Sequence, residues 1–146
     1  MKRHTYSISI NKSRDTVFNK LVDKELYPRW ARAWGAGMRC EGEWTVGGHI
    51  SYFDSKRGGT RVVIEEFVPG ESIKTKHVAM VDPENVDVEL ADETMRKWIG
   101  SQEDYAFMEE HGATTFRVEM TADEAFDEMM NAWPQALEYF KEACEA

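Results

Sequence analysis

Polar and apolar residues alternate at the start of the chain. Tyr6, Ile8 and Ile10 are separated by Ser7 and Ser9, and a period of two predicts a half-buried strand over 4–10. The period then changes. Val17, Phe18, Leu21 and Val22 share one helical face behind Ser13, whose hydroxyl suits an N-cap. A second short helix is expected over Lys24–Trp34, with Pro28 in its first turns. Alternation returns from 38 to 78, in short runs separated by Gly47-Gly48, Gly58-Gly59 and Pro69-Gly70. Ile50 and Tyr52, Val62 and Ile64, and Ile73, Thr75 and His77 mark antiparallel strands in this region. Residues 82–95 are acidic and aperiodic, so an ordered loop or short helix is expected there. Tyr105 and Phe107, then Phe116, Val118 and Met120, mark two more strands around a turn at Glu109–Gly112.

The last segment has the clearest period. Thr121 and Glu124 have capping-box spacing. Phe126, Met130, Trp133, Leu137, Phe140 and Cys144 then form one apolar stripe, the face of a long helix. Pro134 has no N–H to offer the Met130 carbonyl, so it should kink or divide that helix.

A run of strands followed by one helix predicts an α+β fold. The expected form is a curved antiparallel sheet wrapped around the long C-terminal helix, with two short helices after the first strand. With 146 residues and no repeat or linker, residues 1–146 are expected to form a single domain. A curved sheet does not close flat on one helix. The space between them must be filled by large side chains or by a ligand.

Composition narrows the partners. The net charge is −9, which disfavours nucleic-acid backbones and anionic membrane surfaces. The charge is uneven: the first 32 residues are net positive, and the final 24 are strongly acidic. The two ends of the chain should therefore attract one another. No apolar h-region follows Lys2 and Arg3, and Val78–Val81 is the longest clean apolar run, too short for insertion in a membrane. Cys40 and Cys144 are far apart, and no Cys/His spacing suits a metal. Two reduced thiols and a cytoplasmic location are expected. Neither metal nor cofactor is expected.

Several short segments, taken in order, carry a resemblance. They are Ser13-x-x-x-Val17-Phe18, Tyr27-Pro28-Arg29-Trp30, Val46-Gly47-Gly48-x-Ile50-x-Tyr52, Ile64-Glu65-Glu66-Phe67-Val68-Pro69, Tyr105-x-Phe107, Thr115-x-x-Val118 and Trp133-Pro134-Gln135-Ala136-Leu137. Their order and spacing resemble the START-like, or SRPBCC, helix-grip superfamily over nearly the whole chain. Within it, the similarity is to the group named after the C-terminal domain of the activator of the ninety-kilodalton heat-shock chaperone's ATPase. The long acidic 82–95 segment and Ala132, where the group usually has Gly before the helix Trp, depart from the pattern. The resemblance implies a deep cavity between sheet and helix. It leaves function open, because members carry ligands, cyclise polyketides or regulate chaperones.

Candidate site residues follow from strand and helix faces. Trp30 and Trp34 are four apart and share a face. With Tyr52, Trp98, Tyr105, Met129 and Trp133 they are either core or the walls of a ligand cavity. Glu66 has the parity of Val62 and Ile64, which directs it inward unless a bulge or an early strand end turns it to water. Buried, it would need a partner or a ligand. His77 shares parity with Ile73 and Thr75, as a structural residue or as an acid–base group. No catalytic motif is present, so binding is expected ahead of catalysis. The leading expectation is a small apolar or amphipathic ligand in the cavity, with Glu66 and His77 as polar anchors. The alternatives are a chaperone-interacting domain, from the resemblance, or a cavity enzyme such as a cyclase or hydrolase. An exposed sheet edge or apolar patch would support a homodimer.

Overall fold

A computed structural model describes residues 1–146. Strand β1 (Lys2–Ile10) leads into helices α1 (Arg14–Leu21) and α2 (Tyr27–Ala31). Four strands follow: β2 (Met38–Gly42), β3 (His49–Asp54), β4 (Gly58–Val68) and β5 (Ser72–Val81). A short helix α3 (Glu93–Arg96) precedes β6 (Gln102–Glu110) and β7 (Ala113–Ala122), and helices α4 (Asp127–Met130) and α5 (Trp133–Glu145) close the chain. All seven strands form one antiparallel sheet in the order β1-β7-β6-β5-β4-β3-β2. It curls as a half-barrel around the C-terminal helical stretch. This is the α+β helix-grip architecture that the sequence pattern predicts.

The local rules account for most elements. Ser13 caps α1, its Oγ accepting the Thr16 N–H at 3.2 Å, and Val17, Phe18 and Leu21 face the core. Helix α2 is shorter than expected. It begins around Tyr27-Pro28, because proline fits only the first turn of a helix. The 82–95 segment is mostly irregular. Val81 bridges to Asp87, and Asp92 caps the single turn of α3.

The start of the C-terminal helix differs from expectation. Thr121 does not cap it, because β7 runs to Ala122 and the sheet ladder pairs Thr121 with Arg3 and Gln102. Asp123 caps instead, its carboxylate accepting the Ala125 N–H at 2.9 Å. A 3₁₀ turn over Glu124–Phe126 then leads into α4. Pro134 stands in the first turn of α5 and divides the stretch. Past the break the apolar stripe is continuous: Trp133, Leu137, Phe140 and Cys144 are all buried. Each fully buried side chain of this kind contributes roughly 1.5–3 kcal/mol.

The oppositely charged chain ends meet. Lys2 Nζ lies 2.9 Å from Asp127, and the Asn11 N–H donates to Glu145 at 2.8 Å. The hydrogen bond from Lys2 holds the Asp127 carboxyl below the usual carboxylate range. These contacts are exposed, so each adds little stability.

Two bulges in the β4–β5 pair decide which side chains face inward. Thr60 pairs with Met80 while Val62 pairs with His77. The extra residue on β5 thus brings Met80 back to the inner face beyond His77. Ile64 pairs with Thr75, but Glu66 pairs with Lys74 and Phe67 with Ile73. The second bulge turns Glu66 outward and Phe67 inward.

Candidate functional site

The inner face of the sheet and the helices enclose a cavity of about 570 Å³. That volume falls inside the roughly 300–1,000 Å³ range of small-molecule sites. Exposed Arg57, Pro83 and Met129 belong to its lining, so it opens to solvent between the β3–β4 hairpin, the segment after β5 and α4. Gly58 and Gly59 keep the hairpin side thin. A Cβ on Gly59 would lie 2.0 Å from the Tyr52 carbonyl oxygen, and Gly58 has φ of +80°.

Four of the five tryptophans line this space: Trp30, Trp34, Trp98 and Trp133. Their rings contact one another and their neighbours. Trp34 and Trp133 are 4.8 Å apart between centroids, edge to face, and Trp30 and Tyr27 are 4.9 Å apart. Six of the eight methionines also line it: Met38, Met80, Met95, Met120, Met129 and Met130. Thioethers on flexible stems give a wall that adapts to the shape of its occupant.

One polar cluster interrupts this wall. Trp98 Nε1 donates to Thr60 Oγ1 at 2.8 Å. Thr60 Oγ1 lies 2.8 Å from His77 Nδ1, and His77 Nε2 lies 3.1 Å from Glu103 Oε1. The Tyr105 hydroxyl donates to the other Glu103 oxygen. His77 is 1% exposed and Glu103 is 7% exposed. A buried carboxyl group survives only with such partners. Burial also pushes the Tyr27, Tyr52 and Tyr105 phenols well above their ordinary value. No group of three or more His, Cys, Asp or Glu side chains is placed to hold a metal ion.

Seven of the nine residues proposed from the sequence reach the cavity: Trp30, Trp34, Tyr52, His77, Trp98, Met129 and Trp133. Two do not. Glu66 is turned to the outer face by the β4 bulge, lies 3.8 Å from Lys74 and keeps 43% of its side-chain surface. Tyr105 does face inward, but it lies in the core beside Phe116 and behind Glu103, off the cavity lining. Thr60 and Glu103 are the additions. The signal for Glu103 was present: extending the Tyr105–Phe107 alternation back by one step puts Glu103 on the inner face.

The mouth carries a second polar contact. The Arg57 guanidinium donates to Asp54 and to the Trp34 carbonyl, both at 3.1 Å. Backbone N–H donation from Lys56, joined by Arg57, holds the Asp54 carboxyl below the usual range.

A curled antiparallel sheet gripping a C-terminal helix over an apolar cavity defines the START-like, or SRPBCC, helix-grip class. Within that class, the chain belongs to the family described as Activator of Hsp90 ATPase homolog 1-like protein, which matches residues 11–145. Its fold is similar to the Aha1 dimer from Colwellia psychrerythraea, with a TM-score of 0.74 at 17% identity, covering 99% of this chain and 97% of that one. It is also similar to protein CV1439 from Chromobacterium violaceum, with a TM-score of 0.72 at 12% identity and coverage of 99% and 97%. CalU16 from Micromonospora echinospora is similar too, with a TM-score of 0.67 at 17% identity and coverage of 95% and 75%. No curated protein matches the chain in sequence. No helix is long and apolar enough to cross a membrane.

Proposed function

We infer that this chain binds a small apolar or amphipathic molecule in the cavity between the sheet and the C-terminal helices. The observation that carries this reading is the wall itself. Four tryptophans and six methionines surround about 570 Å³ in a chain of 146 residues. A core built only for stability would close such a space, because each unfilled volume forfeits packing energy. The catalytic alternative is less well supported. His77 is 1% exposed and both its ring nitrogens are bonded within the wall, by Thr60 and Glu103, as a structural residue's would be.

Native mass spectrometry of freshly purified protein tests the binding reading. It should show a co-purified small molecule, or a one-to-one adduct with an added apolar ligand that also changes tryptophan fluorescence. An empty protein that no apolar or amphipathic compound perturbs would overturn it.

Family membership supports a second reading, a partner in the chaperone system. A pull-down against the ninety-kilodalton chaperone, with and without nucleotide, separates the two readings. Retention that survives blocking of the cavity would favour the chaperone partner. No retention under either condition would discard it.

A further inference from the structure

Inside its mouth the cavity has one strongly polar place, and we propose that it recognises a hydrogen-bond donor. The occupant is then a flat aromatic molecule carrying an O–H or N–H group, seated with that group on Glu103. This inference rests on the binding reading above and specifies its ligand.

If the Thr60 hydroxyl donates to His77 Nδ1, then His77 Nε2 donates to Glu103. If Thr60 instead donates to the Ala79 carbonyl, 3.2 Å away, then His77 Nδ1 donates to Thr60. In both arrangements one hydrogen lies between His77 Nε2 and Glu103 Oε1. Trp98 donates to Thr60 and Tyr105 donates to Glu103 throughout. In every arrangement each hydrogen of the cluster is already engaged within it. What remains for a ligand is lone pairs, chiefly on Glu103, which accepts from two groups and has room for more.

The rest of the lining does not reverse this preference. The Tyr52 hydroxyl and the Trp30 indole nitrogen are sealed, with no accessible surface and no partner. Tyr27 and Trp133 each carry a single neutral polar group on a large ring. Arg57, the one Arg or Lys of the lining, is 66% exposed at the mouth and engaged by Asp54 and the Trp34 carbonyl. A ligand carboxylate would therefore meet acceptors inside, where charge is costly to bury. The indole rings and thioethers of the wall suit contact with an aromatic ring.

The test is calorimetric titration of the whole chain with 2-naphthol, 2-methoxynaphthalene and 2-naphthoate. These share one ring system and differ in offering a donor, no donor, or a negative charge. 2-Naphthol should bind roughly fivefold or more tighter than 2-methoxynaphthalene, the ratio expected for one added hydrogen bond. 2-Naphthoate should bind no tighter than 2-methoxynaphthalene. Glu103→Gln keeps the side chain's shape but replaces an acceptor oxygen with an N–H₂ donor. It should bring the two neutral affinities together. Equal binding of the two neutral ligands by the unmutated protein, or tightest binding of 2-naphthoate, would overturn the donor rule and leave the cavity reading standing. Failure of all three to bind would overturn the donor rule, and the cavity reading falls with it only if native mass spectrometry also finds no apolar or amphipathic ligand.

Discussion

The Tyr6 hydroxyl donates to the Met130 carbonyl at 3.2 Å. That carbonyl is the one Pro134 leaves without its helical N–H. The break between α4 and α5 is therefore bonded to β1. The next carbonyl back, Met129, accepts Trp34 Nε1 at 3.2 Å. Two aromatic side chains thus tie the divided helix to β1 and to α2's flank; the Met129 carbonyl also accepts the Ala132 N–H at 3.4 Å, so of the two only the Met130 carbonyl is left open by the break.

Tyr6→Phe should therefore cost about 1 kcal/mol, the worth of an ordinary hydrogen bond. In a domain of this size that corresponds to a drop in Tm of roughly 2–4 °C. In a Pro134→Ala background residue 134 can donate to Met130 itself, so the same Tyr6 change should cost less. A double-mutant cycle by thermal denaturation measures the coupling. Strictly additive losses would contradict the compensation.

Gly59→Ala should destabilise the β3–β4 hairpin. The added methyl would sit 2.0 Å from the Tyr52 carbonyl oxygen, a backbone atom that cannot rotate aside. The expected loss is about 1–3 kcal/mol or more, read by urea denaturation. The displaced strand also carries Tyr52, so ligand affinity should fall as well. Full stability with unchanged affinity would show that the hairpin yields freely.

His77→Leu and Glu66→Ala should behave in opposite ways. The first leaves Glu103 and Thr60 each short of a partner in a buried place and should cost at least about 1–3 kcal/mol. The second removes an exposed side chain and should stay within about 0.5 kcal/mol, with no effect on ligand uptake. A large loss at Glu66 would contradict the bulge that turns it outward.

Stability should fall at alkaline pH. Burial pushes both thiols, Cys40 and Cys144, up to about 12 from 9.0, and the phenols of Tyr27, Tyr52 and Tyr105 well above 10.0. Below pH 9 folded and unfolded chains hold these protons alike. Above it the unfolded chain releases them first and binds fewer, so unfolding is favoured as pH rises toward about 12. Tm measured from about pH 8 to about pH 11 should decline. Absorbance at about 295 nm should show those three tyrosines ionising only as the chain unfolds. A flat Tm with early ionisation would contradict their burial.

Periodicity determined much of the fold. The two-residue alternation of Tyr6, Ile8 and Ile10 and the stripe from Trp133 to Cys144 each follow from one buried face repeating along one element. Ser13 capped its helix because the hydroxyl and the N–H it serves are three residues apart. Such relationships are local, and the chain states them directly. Trp30 and Trp34, four apart, and Trp133, within the stripe, were legible as inward-facing for the same reason.

Tertiary structure decided the rest. Parity was right for His77 and wrong for Glu66, because a bulge in β4 inserts one residue and inverts the faces beyond it. Whether a strand bulges depends on the partner strand, which local pattern does not contain. Thr121 read as a helix cap, yet the ladder with β1 and β6 claimed it first. Pro134 announced a break, and only the position of Tyr6, more than 120 residues away in sequence, shows what completes it. Glu103 became the carboxyl beside His77 because β5 and β6 are neighbours, a pairing between residues 26 positions apart. The sequence determined which faces are apolar, because that property repeats within an element. The chemistry of the cavity depends on which elements meet, and only the folded sheet decides that.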